Sequence, residues 1–161
     1  KTPFYITHVK MHTWKGNPNL VALSQLKTRN DLLKIYQLRH VYLDGSGYHE
    51  EQFKDAKLVN RLNSIHQIAK FLLDYKRADI FVEQSELFYP IAEELGLKDK
   101  VKTLNNIHFK SLKWHLYIRK DSKHVELMKD INKALDRSII EGTLLAKAQQ
   151  VFAKYNLKYE E

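Results

Sequence analysis

The first hydrophobic and polar positions of the chain alternate with a period of two. From Phe4 to Trp14, Tyr5, Thr7, Val9, Met11 and Thr13 share one side, and Phe4, Ile6, His8, Lys10 and His12 the other, which predicts a strand. Gly16-Asn17-Pro18-Asn19 is turn chemistry and ends it. Asn30 followed by Asp31 predicts a helix start, running through Leu32, Leu33, Ile35 and Tyr36. His40-Val41-Tyr42-Leu43 predicts a short buried strand, broken by Asp44-Gly45-Ser46-Gly47 before a helix from Tyr48 to Lys54. A strand follows over Lys57 to Arg61, then a helix capped by Ser64 with Ile65, Ile68, Ala69, Leu72 and Leu73 at helical spacing. Asp79 to Glu83 carries the most concentrated strand signal in the chain. Ser85 is expected to cap a helix to Leu95 that Gly96 stops. Two more strands are expected, Val101 to Leu104 and Leu112 to Arg119. Beyond Lys123, Val125, Leu127, Met128, Ile131, Ala134, Leu135 and Ile139 form one helical stripe, interrupted at Gly142 and resumed from Leu144 to Tyr155.

Strands alternating with helices predict an α/β fold with a mainly parallel sheet and helices on both faces. Composition agrees: 161 residues with 43% hydrophobic and 29% charged side chains can bury a core and do not describe a disordered chain. No run approaches the ~18 apolar residues of a membrane-spanning helix. Lys1-Thr2-Pro3-Phe4-Tyr5 is not a secretory leader, which suits a cytosolic chain or a processed one. The absence of cysteine excludes disulfides, thiolate metal sites and cysteine nucleophiles. The net charge of +8 raises nucleic-acid binding. Basic residues are nevertheless spread along the chain, without a basic block or an RNA-recognition strand, so a solvated lysine-rich surface is the preferred reading. Such a charge also suits an anionic ligand or surface.

Candidate chemistry concentrates where strands give way to helices, because open α/β sheets bind ligands at the carboxyl ends of their strands. Asp44-Gly45-Ser46-Gly47-Tyr48 is one such place: its glycines let backbone approach a ligand and Ser46 adds a hydroxyl, although a plain tight turn has the same composition. It is neither a P-loop nor a dinucleotide fingerprint. Glu83-Gln84-Ser85 is the other, facing either a ligand or water. His8 and His12 share a strand face but stand about 13 Å apart, too far to chelate one metal. His115, inside an expected strand, reads as structural. No metal site and no cofactor is implied.

The order of these motifs resembles the extracytoplasmic solute-binding proteins of ABC importers, in the family that takes up amino acids and related polar solutes. Asp31-Leu32, then Val41-Tyr42-Leu43-Asp44-Gly45-Ser46-Gly47, then Leu72-Leu73-Asp74-Tyr75-Lys76-Arg77-Ala78-Asp79-Ile80 follow the pattern of that family's second lobe. Trp114 to Lys120 resembles its return strand, and Ile131-Asn132-Lys133-Ala134-Leu135, Glu141-Gly142-Thr143 and Lys154-Tyr155 its closing helices. Pro3-Phe4-Tyr5 resembles the segment just before the first crossing between lobes. The resemblance therefore implies a periplasmic-binding-protein-like fold, with one complete lobe plus the C-terminal part of the other, lacking the N-terminal part of lobe one. The implied boundaries are 1–15 for the end of lobe one and a first hinge strand, 16–112 for lobe two, and 113–161 for the second hinge strand and the helices that pack on lobe one. Hinges are implied near Met11 to Lys15 and Leu112 to Lys120.

Carried over residue by residue, Gly45 and Ser46 match the turn that holds a ligand carboxylate, and Gly47 replaces a second hydroxyl residue. Lys10 falls where some members carry an arginine for that carboxylate, but offers only a point charge. Gln84 falls where amino-acid binders place an aspartate for the ligand ammonium; a neutral amide cannot supply that charge, which argues against an ordinary α-amino acid. Tyr5 and Tyr48 would line the cleft and stack on a ligand, or simply pack. The implied function is a periplasmic or lipid-anchored binding component that captures a small polar solute between two lobes and delivers it to an ABC permease. A sensor domain of a signalling receptor is an alternative; Tyr159-Glu160-Glu161, read as a natural terminus, favours the transporter. A dehydratase-like enzyme is a lesser one, with Glu83 as the candidate carboxylate. Apolar surface left on the last helices would allow self-association.

Overall fold

The computed structural model describes residues 5–35, 37–109 and 111–154. Two compact units form, one from Val9–Lys110 and one from Lys1–His8 with Ser111–Glu161. The elements of the larger unit follow in chain order: β1 (Tyr5–Trp14), which begins in the smaller unit, α1 (Leu20–Gln25), α2 (Arg29–Lys34), β2 (Arg39–Leu43), α3 (Gly47–Phe53), β3 (Leu58–Leu62), α4 (Ile65–Ala69), β4 (Ile80–Gln84), α5 (Ser85–Glu94) and β5 (Val101–Leu104). The smaller unit adds β6 (Ser111–Trp114), α6 (Leu127–Ile140) and α7 (Thr143–Lys154).

The sheet runs β3-β2-β4-β1-β5. β2 lies parallel to β3 and to β4, with Val41 opposite Asn60 on one side and Phe81 on the other. β1 is antiparallel to both β4 and β5. Strands β2 to β5 thus point one way and β1 alone is reversed, giving the expected mainly parallel α/β sheet. Parallel neighbours need helical crossovers, and α3 and α4 supply them between β2, β3 and β4. In the smaller unit, the start of β1 pairs antiparallel with β6, Tyr5 opposite Trp114 and His8 opposite Ser111. The Trp114 indole donates to Thr7 Oγ1 at 3.3 Å there.

Both faces of the larger unit's sheet are covered. On one, Val41, Phe81 and Val101 pack with Ile68, Leu72 and Leu73 and with Phe88 and Ala92 of α5, and the Phe81 and Phe88 rings meet edge to face at 5.2 Å. On the other, Phe53 of α3 lies 5.2 Å from the ring of His40. Thr13 and Asn17 are held inside through the backbone. Thr13 donates to the Asp79 carbonyl at 2.6 Å, and Asn17 donates to Thr13 Oγ1 at 2.8 Å and to the same carbonyl at 3.1 Å. The Asp79 carboxylate is held by Arg39 three times: from the backbone N–H at 2.9 Å, Nε at 3.0 Å and Nη2 at 2.8 Å. This bidentate fork ties the start of β2 to the start of β4.

Several local expectations are corrected. α2 is capped by Thr28 rather than Asn30, because Thr28 and Asp31 satisfy each other's backbone donors in a capping box. The cap of α5 is Gln84, and Ser85 is already helical. α1 was not expected: Asn19 caps it without a side-chain bond, so its sequence carries no start signal. The expected strand to Arg119 stops at Trp114. The α4 region continues as a π-helical turn over Lys70–Asp74, which ends at Lys76 with a positive φ of 52°. Phe4, Tyr36 and Tyr155 lie outside the described residues.

Candidate functional site

β2 and β4 end side by side, and the residues just beyond them build the candidate site. The register that sets Val41 opposite Phe81 continues to bring Asp44 level with Gln84, so the turn 44–47 begins beside the end of β4. Gly45 takes φ 73°, the left-handed region that glycine enters without strain. The turn is anchored by Asp44 N–H to the Leu62 carbonyl at 2.9 Å and by Ser46 N–H to that of Leu43 at 3.2 Å. Ser46 caps α3, its hydroxyl accepting from His49 N–H at 3.4 Å. Helix geometry leaves the Gly47 and Tyr48 N–H groups without intrahelical acceptors. Loss of the cap in Ser46→Ala is expected to lower stability by about 1 kcal/mol, read as a reduced urea midpoint at unchanged slope.

β4 supplies the facing groups. In an antiparallel ladder, residues directly opposite share a face. Lys10 is opposite Glu83 and Val9 opposite Gln84, so Glu83 and Lys10 lie on one face and Gln84 on the other. Strand alternation turns Glu83 away from Gln84, and the same alternation separates Lys10 from Gln84. Tyr5 belongs to the smaller unit. Gln84 is only 4% exposed. Its backbone N–H donates to Glu83 Oε1 at 2.8 Å.

No sequence signal assigned a role to the side chain that joins these parts. His49, in the first turn of α3, is buried, and its Nε2 donates to the Val82 carbonyl at 2.7 Å and stands 3.8 Å from Glu83 Oε2. It pins the helix that carries the Gly-Ser turn to the end of β4. Burial lowers the His49 pKa and raises that of Glu83, the latter opposed by the Gln84 N–H. Tyr48 places its ring 5.6 Å from that of His49, and its buried hydroxyl has no hydrogen-bond partner. Burial, then the charge of Glu83, drives the Tyr48 pKa up. The only signal for His49 was its position in the first turn after the Gly-Ser segment. Among the described residues, no group of three His, Cys, Asp or Glu side chains is placed to hold a metal.

No family model and no curated protein matches the chain. Solved structures do. An amino acid ABC transporter substrate-binding protein from Streptococcus pneumoniae, bound to L-arginine, superposes with a TM-score of 0.70 over 99% of this chain and 62% of its own, at 19% identity. The chain has the type II periplasmic-binding-protein fold. A second structure with this fold is a putative binding component of an ABC transporter from Wolinella succinogenes complexed with lysine: TM-score 0.68, 15% identity, 95% of this chain and 60% of that one. A third is an ancestral amino acid-binding protein, a precursor of cyclohexadienyl dehydratase: TM-score 0.62, 18% identity, 95% and 59%. The chain spans about three fifths of the length of these periplasmic-binding-protein structures. In the described residues, no helix is long and apolar enough to cross a membrane.

Proposed function

We propose that the chain is the ligand-holding part of an extracytoplasmic solute-binding component of an ABC-type importer, taking a small polar solute and presenting it to a membrane permease. The observation that carries this reading is the junction of β2 and β4: a left-handed glycine turn, two helix-start amides and Gln84 converge there at the carboxyl edge of a parallel sheet. Gly45 and Gly47 would receive an anionic group of the solute through backbone N–H donors and Ser46 through its hydroxyl O–H, and Gln84 would offer an amide. Tyr48 would stack or donate from its hydroxyl. Lys10 would act as a nearby positive charge from the opposite sheet face. Because Gln84 carries no charge, the preferred solute is amino-acid-like without depending on a free ammonium at this point. The proposed lobes follow the boundaries 1–15, 16–112 and 113–161.

Glu83 beside His49 is the pair a dehydratase-like second reading would use. Both are buried, at 8% and 1% exposure, and Glu83 Oε1 is occupied by a backbone N–H, which favours a structural role. The smaller unit supports self-association: Thr7 is its one buried residue among those described, while Leu127, Ile139 and Ile140 are exposed.

Native mass spectrometry of the undenatured chain is expected to show a retained small polar molecule, and it reports oligomeric state in the same spectrum. Amide NMR titration with a panel of polar solutes then locates binding, down to affinities of about 1 mM, or about −4 kcal/mol. Shifts at Gly45, Ser46, Gly47 and the Gln84 side chain are expected. Shifts confined to other residues, or none with any solute, would overturn the proposal.

A further inference from the structure

At the opposite end of the larger unit's sheet from the candidate site, basic side chains gather on one exposed edge. β1 ends there at Trp14, level with Val101 at the start of β5, and Lys15 N–H donates to the Lys100 carbonyl at 2.8 Å. The loop leaving the π-helical turn joins them: Lys76 lies 5.0 Å above the Trp14 ring, whose indole donates to the Ala78 carbonyl at 3.2 Å. Arg77 follows, held by its N–H to the Phe71 carbonyl at 3.0 Å, with its guanidinium over Tyr75. Lys15, Tyr75, Lys76, Arg77 and Lys100 are all exposed, Tyr75 to 59%. Asp74 pairs with Lys100 at 3.0 Å, and the exposed Asp99 directly precedes Lys100 in the chain. None of the ion pairs among the described residues involves Lys15, Lys76 or Arg77.

We infer that this edge is a docking face for an anionic lipid bilayer. Lysine is depleted in protein–protein interfaces, where its hydrated ammonium must be desolvated, whereas a charged bilayer attracts it without that requirement. An exposed tyrosine amid basic residues suits the headgroup region, where an amphipathic ring keeps its hydroxyl wet. Two of the cations are held over aromatic rings and project from a backbone fixed by hydrogen bonds, so the charge is presented as a patch.

The test is co-sedimentation of the full chain with vesicles of phosphatidylcholine containing about one third phosphatidylglycerol, against pure phosphatidylcholine. Binding to the anionic vesicles alone is expected. It should vanish near 1 M salt, where the screening length falls to about 3 Å. Each removed cation should weaken partitioning about fivefold, so Lys76→Asn with Arg77→Gln should cost about twenty-five-fold. Asparagine is chosen because it tolerates the positive φ at Lys76. Lys129→Gln with Lys133→Gln, two exposed changes on α6, should leave binding within about fivefold of the parent. Circular dichroism of both variants checks that the fold is retained. Equal binding to both vesicles, equal loss in both double variants, or tighter binding to duplex DNA at the same salt would each overturn the inference.

Discussion

Lowering the pH from 7 to about 4 is expected to unfold the Val9–Lys110 unit, because three histidines are built into it as neutral rings. His12, His40 and His49 are 0%, 3% and 1% exposed. Burial pushes His12 and His40 down from 6.5 to about 4 and lowers His49 as well. The sign follows from where the proton binds. Between 6.5 and 4 the unfolded chain takes up protons that the folded chain refuses, so stability is complete above about 6.5 and falls as the pH drops through that window. The drop from 6.5 to about 4 at each of His12 and His40 corresponds to about 3 kcal/mol. Together they rival the roughly 5–15 kcal/mol that holds an ordinary domain folded. Glu83 works in the other direction: its raised pKa means that protonation relieves a buried charge as the pH falls. Urea denaturation at pH 7, 5.5 and 4.5 measures the sum. A midpoint that does not move across that range would contradict the mechanism. His40→Leu separates it from general acid effects, since the His40 Nδ1 has no hydrogen-bond partner to lose. That variant should be close to neutral at pH 7 and about 2 kcal/mol more stable than the parent at pH 5.

The second large effect belongs to Arg39 and Asp79. The Asp79 side chain is 3% exposed and its partner 39%, so the carboxylate is the member that cannot turn to water. Arg39→Met keeps the aliphatic stem and leaves a buried carboxylate with only the residue-39 N–H to bond it. The expected cost is about 3 kcal/mol, the lower end for a broken buried pair because the guanidinium is partly solvated. Asp79→Asn keeps an acceptor for that N–H and removes the stranded charge, so its cost should be smaller. Guanidinium chloride unfolding of the two variants orders them. An Arg39→Met protein within about 0.5 kcal/mol of the parent would mean the pair is a surface ornament.

Much of this architecture is legible without coordinates. Period-two alternation located β1, and apolar runs bounded by turn residues located β2, β4 and β5. Gly96 ends α5 in the left-handed conformation its position suggested. Where legibility failed, the deciding interaction was reciprocal or distant. Thr28 became the cap of α2 only because Asp31 returns its bond, and Asn30 has no such partner. α1 has no cap bond and held no signal.

The candidate site divides along the same line. The turn at Gly45 and Ser46 and the strand end at Gln84 were legible locally, since a glycine-serine turn between a strand and a helix has local causes. The role of His49 could not be read that way. A neutral imidazole packs as an aromatic ring, and its value depends on the Val82 carbonyl and the Glu83 carboxylate, 33 residues away for the first of these. Nor could the sequence tell which face Lys10 would share. That depends on the register of β1 against β4, and a slip of one residue would have moved Lys10 from Glu83 to Gln84. Local periodicity and turn chemistry determined most of the segments that became strands and helices, and where the Gly-Ser turn between β2 and α3 would lie. The tertiary structure alone decided strand order, register, and which polar side chains were buried as neutral groups, because these arise from contacts between segments that no local pattern encodes.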